Sequence, residues 1–273
     1  MKFYCSLIFF IIFLKFNSFA QNSQEAKPFK LGEIQTIKSL ILNENRTLNI
    51  YLPEGYATDS AKNYPVIYLL DGSENEDFIH VAGLVQFLTM IETMPKSILV
   101  GISNVDRRRD FTFPTTIQKD LKDFPTTGKS DRFIAFLEQE LQPYISKNYK
   151  TNAQKTIIGQ SLGGLLAVEI LLKKPKLFSN YVIISPSLWW NNESLLNEAP
   201  NYLKKSSTNR IQVYISAGAE GKQMENDTKK LYELLQLQKN VKANFLPLPE
   251  ENHLTILHNA LYKGFEFLYP KKR

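Results

Sequence analysis

Cysteine is almost missing from this chain. Its 273 residues include one, Cys5, and that one falls in an N-terminal stretch that reads as a removable leader. The mature chain is therefore expected to hold no disulfide, no thiolate metal site and no cysteine nucleophile. Histidine is scarce as well. Only His80, His253 and His258 are present, so any chemistry that needs an imidazole must use one of three positions. A one-sided charge is also lacking, because 33 Lys+Arg stand against 27 Asp+Glu. The basic residues are scattered apart from Arg107-Arg108-Arg109 and Lys271-Lys272-Arg273. Without zinc-finger spacing or a basic stripe interleaved with aromatics, no nucleic-acid partner is expected.

Long apolar runs are absent too. The run at residues 7–14 is too short to span a bilayer and is interrupted by Lys15. It follows Met1-Lys2 and precedes Asn17-Ser18-Phe19-Ala20, the layout of a secretory signal peptide over residues 1–20 with cleavage between Ala20 and Gln21. The expectation is a secreted or periplasmic protein with no stable membrane anchor after cleavage. Residues 21–30 would then be a flexible segment and residues 31–273 a single domain, long enough to bury a full core.

What is present is a regular alternation. A hairpin is expected over residues 34–42 and 47–52, joined by a polar turn. Nearly continuous apolar runs at 65–70 and 97–102 read as parallel strands buried on both faces, and further strands are expected at 156–158, 181–184, 211–216 and 243–248. Amphipathic stretches at 131–145, 162–173, 227–238 and 255–268 read as helices. The pattern predicts an α/β fold with a mostly parallel eight-stranded sheet and helices on both faces. Residues 103–130 break the rhythm, with no clear periodicity. A loop of that length after a strand's C-terminal end is usually functional.

The sharpest motif is Gly159-Gln160-Ser161-Leu162-Gly163. A strand signal runs into it and a helical signal runs out, the context of a nucleophile elbow. A serine hydroxyl needs a base as it attacks. His253 follows the last strand and precedes the last helix, the position expected of that base, whereas His80 and His258 fall inside helices. The acid that orients it should follow the 211–216 strand. Glu220 is best placed, with Glu225 and Asp227 as alternatives nearer the start of the next helix. The expected oxyanion donors are the backbone N–H groups of Leu162, next to the nucleophile, and of Ser73, in the loop opened by Asp71-Gly72.

These residues resemble the esterase D-like family of α/β-hydrolases, and among its members the periplasmic esterases related to siderophore-trilactone hydrolases. The likeness runs from Tyr64 to Tyr269. It is carried by Tyr64-Pro65-Val66-Ile67-Tyr68-Leu69-Leu70-Asp71-Gly72, by Val100-Gly101-Ile102-Ser103-Asn104 leading to Arg109-Asp110, and by Asn252-His253. Its most specific segments are Gly159-Gln160-Ser161-Leu162-Gly163-Gly164 and Ile184-Ser185-Pro186-Ser187-Leu188-Trp189-Trp190. Gln160 stands where many relatives have His, and Gly218-Ala219-Glu220 carries one residue more than their Gly-Glu. The resemblance implies a serine esterase acting on a small-molecule ester through an acyl-enzyme on Ser161, with no metal or organic cofactor. Trp189 and Arg109 are the candidate substrate contacts, for an acyl or aryl group and for an anionic group. Two other readings fit the same residues: an acyltransferase, and a non-catalytic binding protein that keeps the fold.

Overall fold

A computed structural model describes residues 26–60, 62–204 and 210–270. The signal peptide read at residues 1–20 lies outside the described residues. From Leu31 onward the chain forms one unit, which opens with the expected hairpin: β1 (Glu33–Ser39) pairs antiparallel with β2 (Glu44–Tyr51). Then come β3 (Tyr64–Leu69), α1 (Phe78–Met90) and β4 (Ile98–Ile102). Every residue of β3 and β4 is buried, which is why both read as apolar runs without alternation.

The interval expected to be irregular holds two short helices, α2 (Arg107–Phe111) and α3 (Gln118–Asp123). Helices of five and six residues carry too few turns to show a period and are stable only through tertiary contacts. The helix expected at 131–145 is built as α4 (Ser130–Phe136), a π turn over Leu137–Leu141, and α5 (Gln142–Asn148).

β5 (Thr151–Gln160) then leads into α6 (Leu162–Lys173), followed by β6 (Asn180–Ile184) and α7 (Trp190–Lys204). The chain closes with β7 (Ile211–Gly218), α8 (Lys222–Gln236), β8 (Val241–Leu248) and α9 (Ile256–Leu268).

Among the described residues the strands form one eight-stranded sheet in the order β1-β2-β4-β3-β5-β6-β7-β8. The pairings from β4 onward are parallel, and β2 runs antiparallel to β4. Alternate side chains of the parallel strands feed two cores. Ile67, Leu69, Leu99, Ile158 and Val182 pack under α1 and α9. Val66, Tyr68, Val100, Ile157 and Ile183 pack on the other face, with α4 through α8. Helix α6 is buried along almost its whole length, as befits a helix apolar on every side. This is an α/β-hydrolase sheet, and its C-terminal edge is where such sheets bind ligands.

Candidate active site

Backbone strain marks that edge. Three non-glycine residues with left-handed φ stand where three strands end: Asp71 (55°) after β3, Ser161 (58°) after β5 and Ser185 (43°) after β6. Such backbone costs about 1–3 kcal/mol per residue and persists where surrounding structure over-determines it. At Ser161 the turn is tight enough that a Cβ on Gly159 would collide with the backbone of Gly163, which explains the glycine at 159. Ser161 N–H donates to the Ile184 carbonyl at 3.1 Å, tying the elbow to β6. The Ser161 hydroxyl has Ser187 Oγ at 3.4 Å. The N–H of Leu162 opens α6, in the first turn, where backbone donors lack intrahelical acceptors.

His253 and Glu220 meet across the ends of β7 and β8. His253 Nδ1 lies 2.5 Å from Glu220 Oε2, with the imidazole 38% exposed and the carboxylate only 3%. The other carboxylate oxygen accepts from Gly218 N–H at 3.1 Å and from the Ser185 hydroxyl. Burial by itself would raise the Glu220 pKa. Hydrogen bonds from His253, Ser185 and Gly218 outweigh it and hold the carboxyl below its ordinary value.

The other two acids are engaged elsewhere. Glu225 accepts the N–H groups of Glu220 and Gly221 at 3.0 and 3.1 Å, so it shapes the loop that presents Glu220. Asp227 is buried in α8, and its pKa is pushed up to about 6, first by burial and then by Glu193.

Ser161, Ser187, Trp189, Glu220, Met224 and His253 share an open cleft of about 490 Å3. Trp189 forms part of its wall and is backed by Phe124 and Trp190, with ring centroids 6.1 Å away in each case. A larger groove of about 740 Å3 includes Arg210, Lys239 and Lys242 among its lining residues. It sits at the opposite edge, where the strands begin, and its lining contains no histidine.

Two expected site residues are not brought to the cleft. Arg109 binds Glu44 through two hydrogen bonds (2.7 and 3.0 Å) and Asp110 through two more (2.7 and 3.2 Å). Its guanidinium holds β2 against α2, and Arg109 is not among the residues that line the cleft. Ser73 N–H donates to Glu76 Oε2 at 3.3 Å inside its own loop. The Ser73 carbonyl accepts from Glu76 N–H at 3.1 Å in turn, so the two residues close a local turn just before Asp77, the N-cap of α1.

The arginine that does reach the elbow is Arg107. It grips Asp71 with two bonds (2.6 and 2.9 Å) and extends to the Gln160 carbonyl at 3.3 Å. Nothing in the run of three arginines distinguishes Arg107 from Arg109. Ser185 and Gln160, whose amide donates to the His253 carbonyl at 2.6 Å, were likewise unassigned. Among the described residues no group of three or more His, Cys, Asp or Glu side chains is arranged to hold a metal ion, and no helix is long and apolar enough to cross a membrane.

The model of the family described as "Putative esterase" matches residues 39–253, a span that holds the elbow, Glu220 and His253. The chain belongs to this esterase family. Ferri-bacillibactin esterase BesA of Bacillus subtilis (strain 168) is 30% identical over 251 residues, covering 84% of this esterase and 87% of its own chain. A siderophore enterobactin esterase of Emericella nidulans is 28% identical over 171 residues, covering 52% and 56%. An IroE-like serine hydrolase from Shewanella oneidensis superposes with a TM-score of 0.80 at 31% identity, covering 87% of this esterase and 80% of that chain. The BES protein from Bacillus cereus superposes at 0.79 with 29% identity, covering 91% and 98%. The protein is accordingly a hydrolase of the α/β-hydrolase fold.

Proposed function

We propose that this protein is a secreted or periplasmic serine esterase that opens the ester bonds of a siderophore-type or similar polar aryl ester. The observation that carries the reading is the Glu220–His253 contact at 2.5 Å, in the cleft that also holds Ser161. In this reading Ser161 Oγ attacks the ester carbonyl while His253 takes its proton. Glu220 holds the imidazole by Nδ1–H and balances the imidazolium that forms. The N–H of Leu162, at the start of α6, meets the developing oxyanion. His253 then returns the proton to the leaving alcohol, and a water that it activates releases the acyl group.

Supporting the substrate class are the two relatives named for ferri-bacillibactin and enterobactin and the Trp189 wall, a flat apolar face suited to an aryl group. The openness of the cleft and the exposure of the imidazole give water ready access, which favours hydrolysis over transfer to another alcohol.

The test is hydrolysis of p-nitrophenyl acetate and butyrate by the mature chain, then of ferri-bacillibactin and a feruloyl ester, with products separated by chromatography. Turnover of the trilactone above the feruloyl ester is expected; preference for the feruloyl ester overturns the substrate assignment. The secretory reading rests on the leader pattern of residues 1–20. It predicts a mature protein that begins at Gln21 in the envelope or medium, and full-length protein in the cytoplasm would sink it.

A further inference from the structure

Gln160 precedes the elbow serine, and its side chain does something the motif does not announce. The imidazole of His253 is more than one-third exposed, and Asn252, Leu254 and Thr255 around it are exposed as well. Apolar packing therefore does little to fix this loop, and polar contacts must do it. Several of these lie within the loop. Leu254 N–H donates to Asn252 Oδ1 at 2.9 Å and Asn252 N–H to Thr255 Oγ1 at 3.1 Å, which sets the shape of the turn but not its position. Ala219 N–H donates to the Glu251 carbonyl at 2.7 Å, and Glu220 takes the ring; both belong to the segment after β7. The tie to the nucleophile is the Gln160 amide, which donates to the His253 carbonyl at 2.6 Å.

Gln160 is itself immobilised. Its backbone pairs with Ile184 of β6, and its carbonyl is reached by Arg107, which Asp71 holds with two bonds. The chain of contacts thus runs from the oxyanion loop through Arg107 and Gln160 to the His253 backbone. The donor is a neutral amide that does not titrate, so the tie is equally strong at every working pH and adds no charge beside the imidazolium.

We propose that Gln160 is a positioning residue that sets the distance between His253 and Ser161, an inference resting on the assignment of His253 as the base. Gln160→Met deletes the donor at nearly constant length. It is expected to lower kcat about 10- to 100-fold, the cost of misplacing a reacting group by about an ångström, with KM unchanged. Because nothing ionisable is removed, the pH profile should fall in parallel without moving. Gln160→His keeps an N–H donor and should restore most of kcat. The downfield proton resonance of the His253–Glu220 bond should be sharp in the parent and in Gln160→His, and broadened in Gln160→Met. If methionine destabilises the elbow, Gln160→Ala makes the same deletion without filling the space.

Wild-type kcat in both deletion variants overturns the proposal, as does a loss that histidine fails to rescue or that moves the limbs of the pH profile. Ser161→Ala and His253→Ala are measured alongside. If they stay active, the base assignment itself is wrong and the role of Gln160 falls with it. If they are inactive while Gln160→Met turns over normally, only the positioning role fails.

Discussion

At the cleft, Glu220 faces His253; beneath the hairpin, Asp110 faces Arg46 and Arg109. Both carboxylates are almost wholly buried, Glu220 at 3% exposure and Asp110 at 1%. Their partners set them apart. Arg46 is itself 1% exposed, stacks on Phe133 with its guanidinium 5.1 Å from the ring centroid, and shares Glu44 with Arg109. Arginine holds its proton at every accessible pH, so this network is fixed charge that locks β2 to α2 and α4. His253 is open to the cleft, and an imidazole can take a proton from a reacting group and hand it on. A buried carboxylate becomes a reaction component when its partner can give up a proton and reach solvent; otherwise it is structure.

The largest effects should come from breaking the reactive side. Ser161→Ala and His253→Ala are each expected to lower kcat by more than about 10^4-fold, with the circular dichroism spectrum and Tm unchanged. Glu220→Gln removes the charge that favours the imidazolium and the acceptor that fixes the tautomer. A loss approaching about 10^4-fold in kcat is expected, the scale seen when a triad aspartate becomes asparagine, again with the fold intact.

The fixed network should respond the other way. Asp110→Asn leaves Arg46 short of a counter-charge in the interior, at a cost of about 3–5 kcal/mol. Denaturant unfolding should show that loss, while kcat per folded molecule holds. Arg109→Ala, with its partly exposed guanidinium, should lower Tm less and leave KM for an anionic ester unchanged. A several-fold rise in KM would return Arg109 to the cleft.

The smallest effect concerns two aspartates whose burial outweighs a nearby cation, Arg107 for Asp77 and Lys230 for Asp227. Asp77 is pushed up to about 6 by burial, then by Asp71 and Glu76, with Arg107 opposing; Asp227 is pushed up to about 6 as well. The native state therefore binds protons that the unfolded chain has released between the ordinary aspartate value, about 3.9, and about 6. Stability from these groups is present below that window and is lost as pH rises through it. Asp77→Asn and Asp227→Asn should raise Tm above pH 6 and leave it unchanged in the acid range.

Much of this molecule was legible in one dimension. The strands read as apolar runs because burial on both faces leaves no room for polar alternation, and β3 and β4 show it residue by residue. The elbow was legible because a strand, a serine flanked by glycines and a helix must be contiguous. His253 was legible by its place between the last strand and the last helix. The short helices α2 and α3 were not, since five or six residues carry no period. Glu220, Glu225 and Asp227 fall within eight positions of one another and have similar chemistry, so spacing left the choice open.

The sequence by itself determined the order of the strands along the chain, the elbow and its serine, and the loop that carries the histidine, because each depends on neighbours along the chain. Only the tertiary structure decided that Glu220 faces His253, that Arg107 reaches the elbow while Arg109 is sequestered by Glu44 and Asp110, and that Gln160 grips the histidine loop. Most of these contacts join residues that lie far apart along the chain. Their directions follow from backbone angles and packing that residue identity alone does not specify.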